Sequence, residues 1–161
     1  MKPQIHRMHK TKIAVNPFSE KRIHIDVEIF NLIKLLWRNK IDTVFCCQDS
    51  TNDGRHFEVD MNHENFSKFL SIMRKSNDVI LRDSFSRVLW DRRDHPRSNQ
   101  VKPRVVRNHV YLHAWVSDFE NDKDSVLKIR LEIPVVLRSL IEIELTGQMK
   151  EVVSLRGHTH V

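Results

Sequence analysis

Twice along these 161 residues a two-residue alternation passes directly into a three- and four-residue one. His56, Glu58 and Asp60 alternate with Phe57, Val59 and Met61, and Phe66, Phe69, Leu70 and Met73 then recur at helical spacing. Lys128, Arg130 and Glu132 alternate with Leu127, Ile129, Leu131 and Ile133, and Leu137, Leu140, Ile141 and Leu145 follow. Side chains switch faces at every strand residue but return to one helix face about every 3.6 residues. Each unit therefore reads as a strand with its polar side toward water, followed by an amphipathic helix. Asn62 is placed to cap the first helix, and Pro134 suits the first turn of the second, which Gly147 can end.

The rest of the chain fits this pattern. Ile29, Phe30, Ile33, Leu36 and Trp37 line one helical face after Asp26, and Asn39 can close that helix. Ile23 and Ile25 suggest a short strand before it. Ile41 to Cys47 is rich in β-branched and aromatic residues and reads as a strand buried on both faces. The Asp53-Gly54 pair marks a hairpin turn to the next strand. Residues 76–84 are ambiguous, with Val79–Leu81 as a short strand candidate, and Phe85–Trp90 is another. From Val105 to Val116 strand character resumes, with Val110, Leu112, Ala114 and Val116 on one face and Tyr111, His113 and Trp115 on the other. The expected architecture is α+β, a mostly antiparallel sheet with about three helices packed on one face. Residues 1–20 read as a basic flexible arm, 21–147 as a single α+β domain and 148–161 as a polar, frayed C-terminal tail.

Charge is unevenly distributed. The net of +6 divides into +5 over residues 1–25, −3 over 26–73, +6 over 74–107 and −2 over 108–161. The excess thus lies in the leader and in one central segment, a pattern suited to a polyanionic partner. In the central segment Arg87, Arg92, Arg93, Arg97, Lys102, Arg104 and Arg107 surround Trp90 and His95. Guanidinium groups grip phosphates in a forked geometry, and aromatic rings at strand ends stack on unpaired bases. The plainer reading is a solvated loop beside a core tryptophan. The aromatic signatures of an RNA-recognition-motif sheet are not present.

Several chemistries are excluded or weakened. Three glycines in the whole chain cannot build a Walker loop or a GxGxxG turn. There is no HExxH and no GxSxG. Asp49, Thr51, Asp53, Gly54 and Asp60 occupy positions of a calcium loop, but strand flanks and the lack of a closing glutamate favour a hairpin turn. His158 and His160, or His109 and His113, lack the paired spacing of a structural zinc site, so no metal and no cofactor is expected. Adjacent Cys46 and Cys47 cannot form a CxxC clamp. A pocket around Cys47, Gln48 and Asp49 beside a histidine is the enzymatic alternative. The unbridged cysteines point to a reducing, intracellular compartment, cytoplasm or nucleus. No apolar run approaches the roughly 18 residues of a membrane span, and the first 20 lack a secretory apolar region.

One stretch carries a resemblance. His24-Ile25-Asp26, the helix ending Leu36-Trp37, and Ile41-Asp42-Thr43-Val44-Phe45-Cys46-Cys47-Gln48-Asp49 resemble small proteins of bacteria and large DNA viruses that carry a helix ending in Leu-Trp and a strand ending Ser-Cys-Gln. Lys128-Ile129-Arg130-Leu131-Glu132-Ile133-Pro134 resembles their closing strand-to-helix step. Cys46 stands where those proteins have serine. The resemblance spans about half the chain and implies a compact α+β domain without implying an activity. A more distant similarity is to the tRNA wybutosine-synthesising methyltransferase family, whose Ser-Cys-Ser-Gly-Arg motif is not matched, because Gln48-Asp49 follow Cys47. The leading expectation is a non-enzymatic nucleic-acid-binding module, possible viral origin included. The enzymatic pocket is one alternative. A structural or virion protein that self-associates through a sheet edge as a homo-oligomer is the other.

Overall fold

The helical face that begins near Val27 forms as the spacing predicts. In the computed structural model, which describes residues 10–48, 56–90, 109–117 and 126–158, helix α1 runs Phe30–Arg38 after a 3-10 turn at Val27–Ile29. Leu32, Ile33, Leu36 and Trp37 are buried along it. Its end is a Schellman closure: the Lys40 N–H donates to Trp37 O and the Ile41 N–H to Leu36 O, both at 3.0 Å. Lys40 occupies the left-handed position, with φ of 63°. The Trp37 indole N–H then donates to Thr43 Oγ1 at 3.1 Å, tying the helix to the chain that leaves it.

Strand β3 is Phe45–Gln48, shorter than expected, because Ile41 is used to seal the helix end. It pairs antiparallel with β4 (His56–Asn62), as a hairpin requires. The turn at 49–55, with Asp49, Thr51, Asp53 and Gly54, lies outside the described residues. Asn62 caps α2 (His63–Arg74), its side chain accepting the Asn65 N–H at 2.9 Å. Val79–Leu81 belong to a helix and not a strand: α3 spans Val79–Ser86, started by Asp78, which accepts the Leu81 N–H at 3.0 Å. A good cap outweighs the modest strand preference of three β-branched or aliphatic residues. Only Leu89–Trp90 remain for β5.

Strands β6 (Tyr111–Ser117) and β7 (Val126–Pro134) complete a five-stranded sheet in the order β3-β4-β7-β6-β5. All pairs are antiparallel except β5–β6. Helix α4 (Arg138–His158) follows a second 3-10 turn and packs on α1, while α2 touches β4, β7, α3 and α4. The fold is α+β, and the described residues hold four α-helices where about three are expected. Phe57, Val59, Met61, Leu131 and Ile133 from the sheet join Phe69, Met73, Leu81, Phe85, Ile141 and Leu145 from the helices in one core. Phe69 and Phe85 meet edge to face at 5.3 Å.

Three further expectations change. Part of the segment expected as a flexible arm, residues 1–20, is a strand: β1 (Thr11–Val15) pairs with β2 (Arg22–Asp26) in a separate two-stranded sheet, and residues 1–9 lie outside the described residues. The cause is Asn16, 2% exposed, whose Oδ1 accepts the Phe18 N–H at 2.8 Å and organises the turn. Gly147 does not end a helix, and the expected tail is helical to His158. Gly147 is exposed and a β-carbon there would meet nothing within 4 Å, so a glycine only weakens the helix, by about 1 kcal/mol against alanine. Pro134 closes β7 and leads the 3-10 turn.

Two stability outcomes follow from this core. Phe69→Ala removes a fully buried ring and its partner for Phe85, so urea unfolding should show a loss of about 3–5 kcal/mol. Asn62→Ala should cost roughly 1–2 kcal/mol, since the cap also anchors Asn65, which receives the Asp42 N–H.

Candidate functional site

One side of the five-stranded sheet faces the helices, and the other carries the polar residues of three neighbouring strands. The register sets them in rows across β4, β7 and β6. Glu58 stands opposite Glu132, which stands opposite Tyr111; Asp60 opposes Arg130, which opposes His113; Lys128 opposes Trp115. The alternation in β4 and β7 is therefore correct, but the expected water-facing side is not wet. His56, Glu58, Asp60 and Glu132 are 4%, 7%, 3% and 4% exposed. Period-two patterning separates two faces and is silent about what lies over each of them.

Arg130 makes this burial tolerable. Its Nε and Nη2 donate to the two Asp60 oxygens at 2.9 and 3.0 Å, a forked pair. The same Nε is 2.6 Å from Glu58 Oε1. Buried carboxylates need such charge-assisted partners, because desolvation costs several kcal/mol per ion. Glu58 and Glu132 sit directly across the ladder, where like charges repel, so a guanidinium beside them offsets part of the cost. His56 Nε2 lies 3.1 Å from the His109 carbonyl and its ring 5.7 Å from Tyr111, which closes the buried end.

The other end opens. His113, Trp115, Lys128 and Arg130 are half-buried. The Arg130 guanidinium lies over the Trp115 ring at 5.2 Å, and His113 stacks on Trp115 at 5.6 Å with an interplanar angle of 21°. Two rings and a guanidinium thus form a platform whose cation is held in place by Asp60 from below. Such a surface combines aromatic rings with positive charge.

The residues singled out by charge fall unevenly around this face. Arg87 is the exposed C-cap of α3, and Trp90 ends β5. Arg92, Arg93, His95, Arg97, Lys102, Arg104 and Arg107 lie outside the described residues. Their segment is nevertheless tethered: it leaves from Trp90 and returns at His109, and β5 and β6 are neighbours in the sheet. The basic leader is tethered elsewhere, since residues 1–9 precede the β1–β2 hairpin, which touches β3 at the opposite edge. The β3 and β5 edges are four strand spacings apart, roughly 19 Å. The two basic segments are thus attached on opposite sides of the sheet and not side by side.

Cys47 and Gln48 are in β3, where Cys47 pairs with Glu58 and Gln48 with Phe57; Asp49 lies outside the described residues. Asp60, the last position of the calcium-like spacing, is committed to Arg130. Among the described residues no group of three His, Cys, Asp or Glu side chains is arranged to hold a metal, and no helix is long and apolar enough to cross a membrane. Sequence reasoning passed over Glu58, Asp60, His113, Trp115, Arg130 and Glu132 as a site. The available signal was that three separate segments each placed ionisable or aromatic residues on the face opposite their aliphatic one. Comparison with protein-family models, with curated proteins and with solved structures finds no match for the chain.

Arg130→Met keeps the stem and removes the charge that Asp60 and Glu58 share. Thermal and urea unfolding at neutral pH should show a loss of roughly 3 kcal/mol, near the lower end for breaking a buried pair because Arg130 is 34% exposed.

Proposed function

We propose that the protein is a non-enzymatic module that binds single-stranded nucleic acid on the open end of its polar sheet face. The observation that carries this reading is the Trp115–Arg130–His113 stack. Unpaired bases stack on aromatic rings and guanidinium planes with little regard for sequence. Six cations from Arg92 to Arg107 belong to a segment attached at β5 and β6, the strand edge beside that stack, Arg87 precedes β5 at the end of α3, and together they supply phosphate contacts. The leader enters the fold at the far edge, beside the β1–β2 hairpin. Its role is general attraction of a polyanion.

A second reading has one specific support. Cys47 pairs with Glu58, which opposes Glu132 and lies between His56 and Asp60 on the same face of β4. A thiol reactive toward alkylating agents at neutral pH, with alkylation slowed in His56→Gln, is the result expected of the enzymatic pocket. Self-association through a sheet edge finds less to work with: β5 has two residues, and β3 is touched by β2.

The test is oligonucleotide retention by the full chain at low salt, with a poly-pyrimidine single strand and the matching duplex. The single strand should be held more tightly. Trp115→Ala should weaken it by the ~1–3 kcal/mol of one base stack, about five- to 150-fold in Kd. Replacing Arg92, Arg93 and Arg97 by alanine should lower the slope of log K against log salt by about 2. No retention at low salt, or retention unmoved by both variants, sinks the proposal.

A further inference from the structure

We propose that the cleft between the β1–β2 turn and the C-terminal half of α1 binds a small ligand joining a phosphate to an aromatic body, the chemistry of a mononucleotide. The cleft measures about 350 Å³, within the size of small-molecule sites. Its apolar wall is Val15, Phe18 and Trp37; Phe18 is 45% exposed although its backbone is fixed. Its rim is Lys34, Arg38 and Lys40, and the lining holds no acidic side chain. Among the described residues none of these three cations has an ion-pair partner.

Both walls are rigid. Buried Asn16 accepts the Phe18 and Ser19 N–H groups at 2.8 and 3.3 Å and donates to Asp42 at 2.9 Å, so the turn cannot swing away from α1. On the other side the Asn39 amide donates to Leu35 O and to Leu145 O, binding the helix end to α4. Lys40 sits at φ 63°, in the Schellman position that glycine fills at least strain. A lysine held there sacrifices stability and adds a third positive charge to the rim. The C-terminus of a helix carries about half a negative charge, which Arg38 alone would balance. Three cations leave the cleft electropositive.

The lining dictates the ligand. Lysine and arginine only donate, so the partner must accept, and forked guanidinium donors match phosphate oxygens. A bare anion would leave Phe18 and Val15 exposed. A neutral apolar molecule would leave the cations unanswered. This site lies at the hairpin, away from the Trp115 platform, and it does not rest on the reading of that face.

Equilibrium dialysis of the full chain with adenosine monophosphate, inorganic phosphate and adenosine tests the proposal, with circular dichroism melts to verify folding. The monophosphate should bind at one saturable site, with phosphate alone and adenosine alone each about tenfold weaker or more. Phe18→Ala and the pair Lys34→Gln/Arg38→Gln should each weaken binding severalfold. Lys40→Gly should raise the melting temperature while weakening binding, a combination that a purely structural lysine would not produce. Trp115→Ala should leave binding unchanged. The proposal is overturned by the absence of saturable binding at millimolar ligand, by phosphate binding as tightly as the monophosphate, by an affinity unmoved by the cation substitutions, or by loss of binding in Trp115→Ala.

Discussion

The β4–β7 ladder is the pairing on which the rest of the molecule depends. It runs seven residues from His56↔Pro134 to Asn62↔Lys128 at the centre of the sheet. One side of it supplies Phe57, Val59, Met61, Leu131 and Ile133 to the core. The other supplies Glu58, Asp60, Glu132 and the Arg130 that answers them. A slip of one residue would turn acids into the core and aliphatics out. The register is therefore held from both faces at once, by burial on one and by ion pairing on the other.

The charged face has a gradient. Carboxylates and His56 lie deep, while His113, Trp115, Lys128 and Arg130 meet solvent. Asp60 takes two donors from Arg130, so the guanidinium plane is held in one orientation. A guanidinium fixed in this way has lost the rotamer freedom of a flexible surface arginine. The acids thus shape the platform without presenting negative charge at its surface.

The opposite edge of the fold is organised by backbone closure. Asn16 ties the hairpin turn, and the Schellman motif ends α1 with Lys40 in a glycine conformation. Both are local devices, yet together they fix two facing walls. Trp37 connects them through Thr43 to the segment that leads into β3, within the same stretch that resembles the helix-Leu-Trp proteins. That hydrogen bond gives a physical reason for a tryptophan at the helix end: its indole N–H reaches back to the chain that follows.

Much of the α+β fold was legible from single segments. Helices α1 and α2, strands β4, β6 and β7 and the Asn62 cap follow from spacing and capping chemistry, because those signals act within a few residues. The misses were of two kinds. Val79–Leu81 and Gly147 were decided by a cap at Asp78 and by an open helix surface, both local but subtle. The hairpin at 11–26 and the buried acids were decided at a distance, by Asn16 reaching Asp42 and by Arg130 reaching Asp60 across 70 positions. The sequence by itself determined the alternating faces, the fold class and the two basic segments. Only the tertiary structure decided that the polar faces of β4, β6 and β7 join into one site and that the basic segments attach at opposite edges. Strand order and register are properties of non-local pairing, and no single strand encodes which neighbour it will meet.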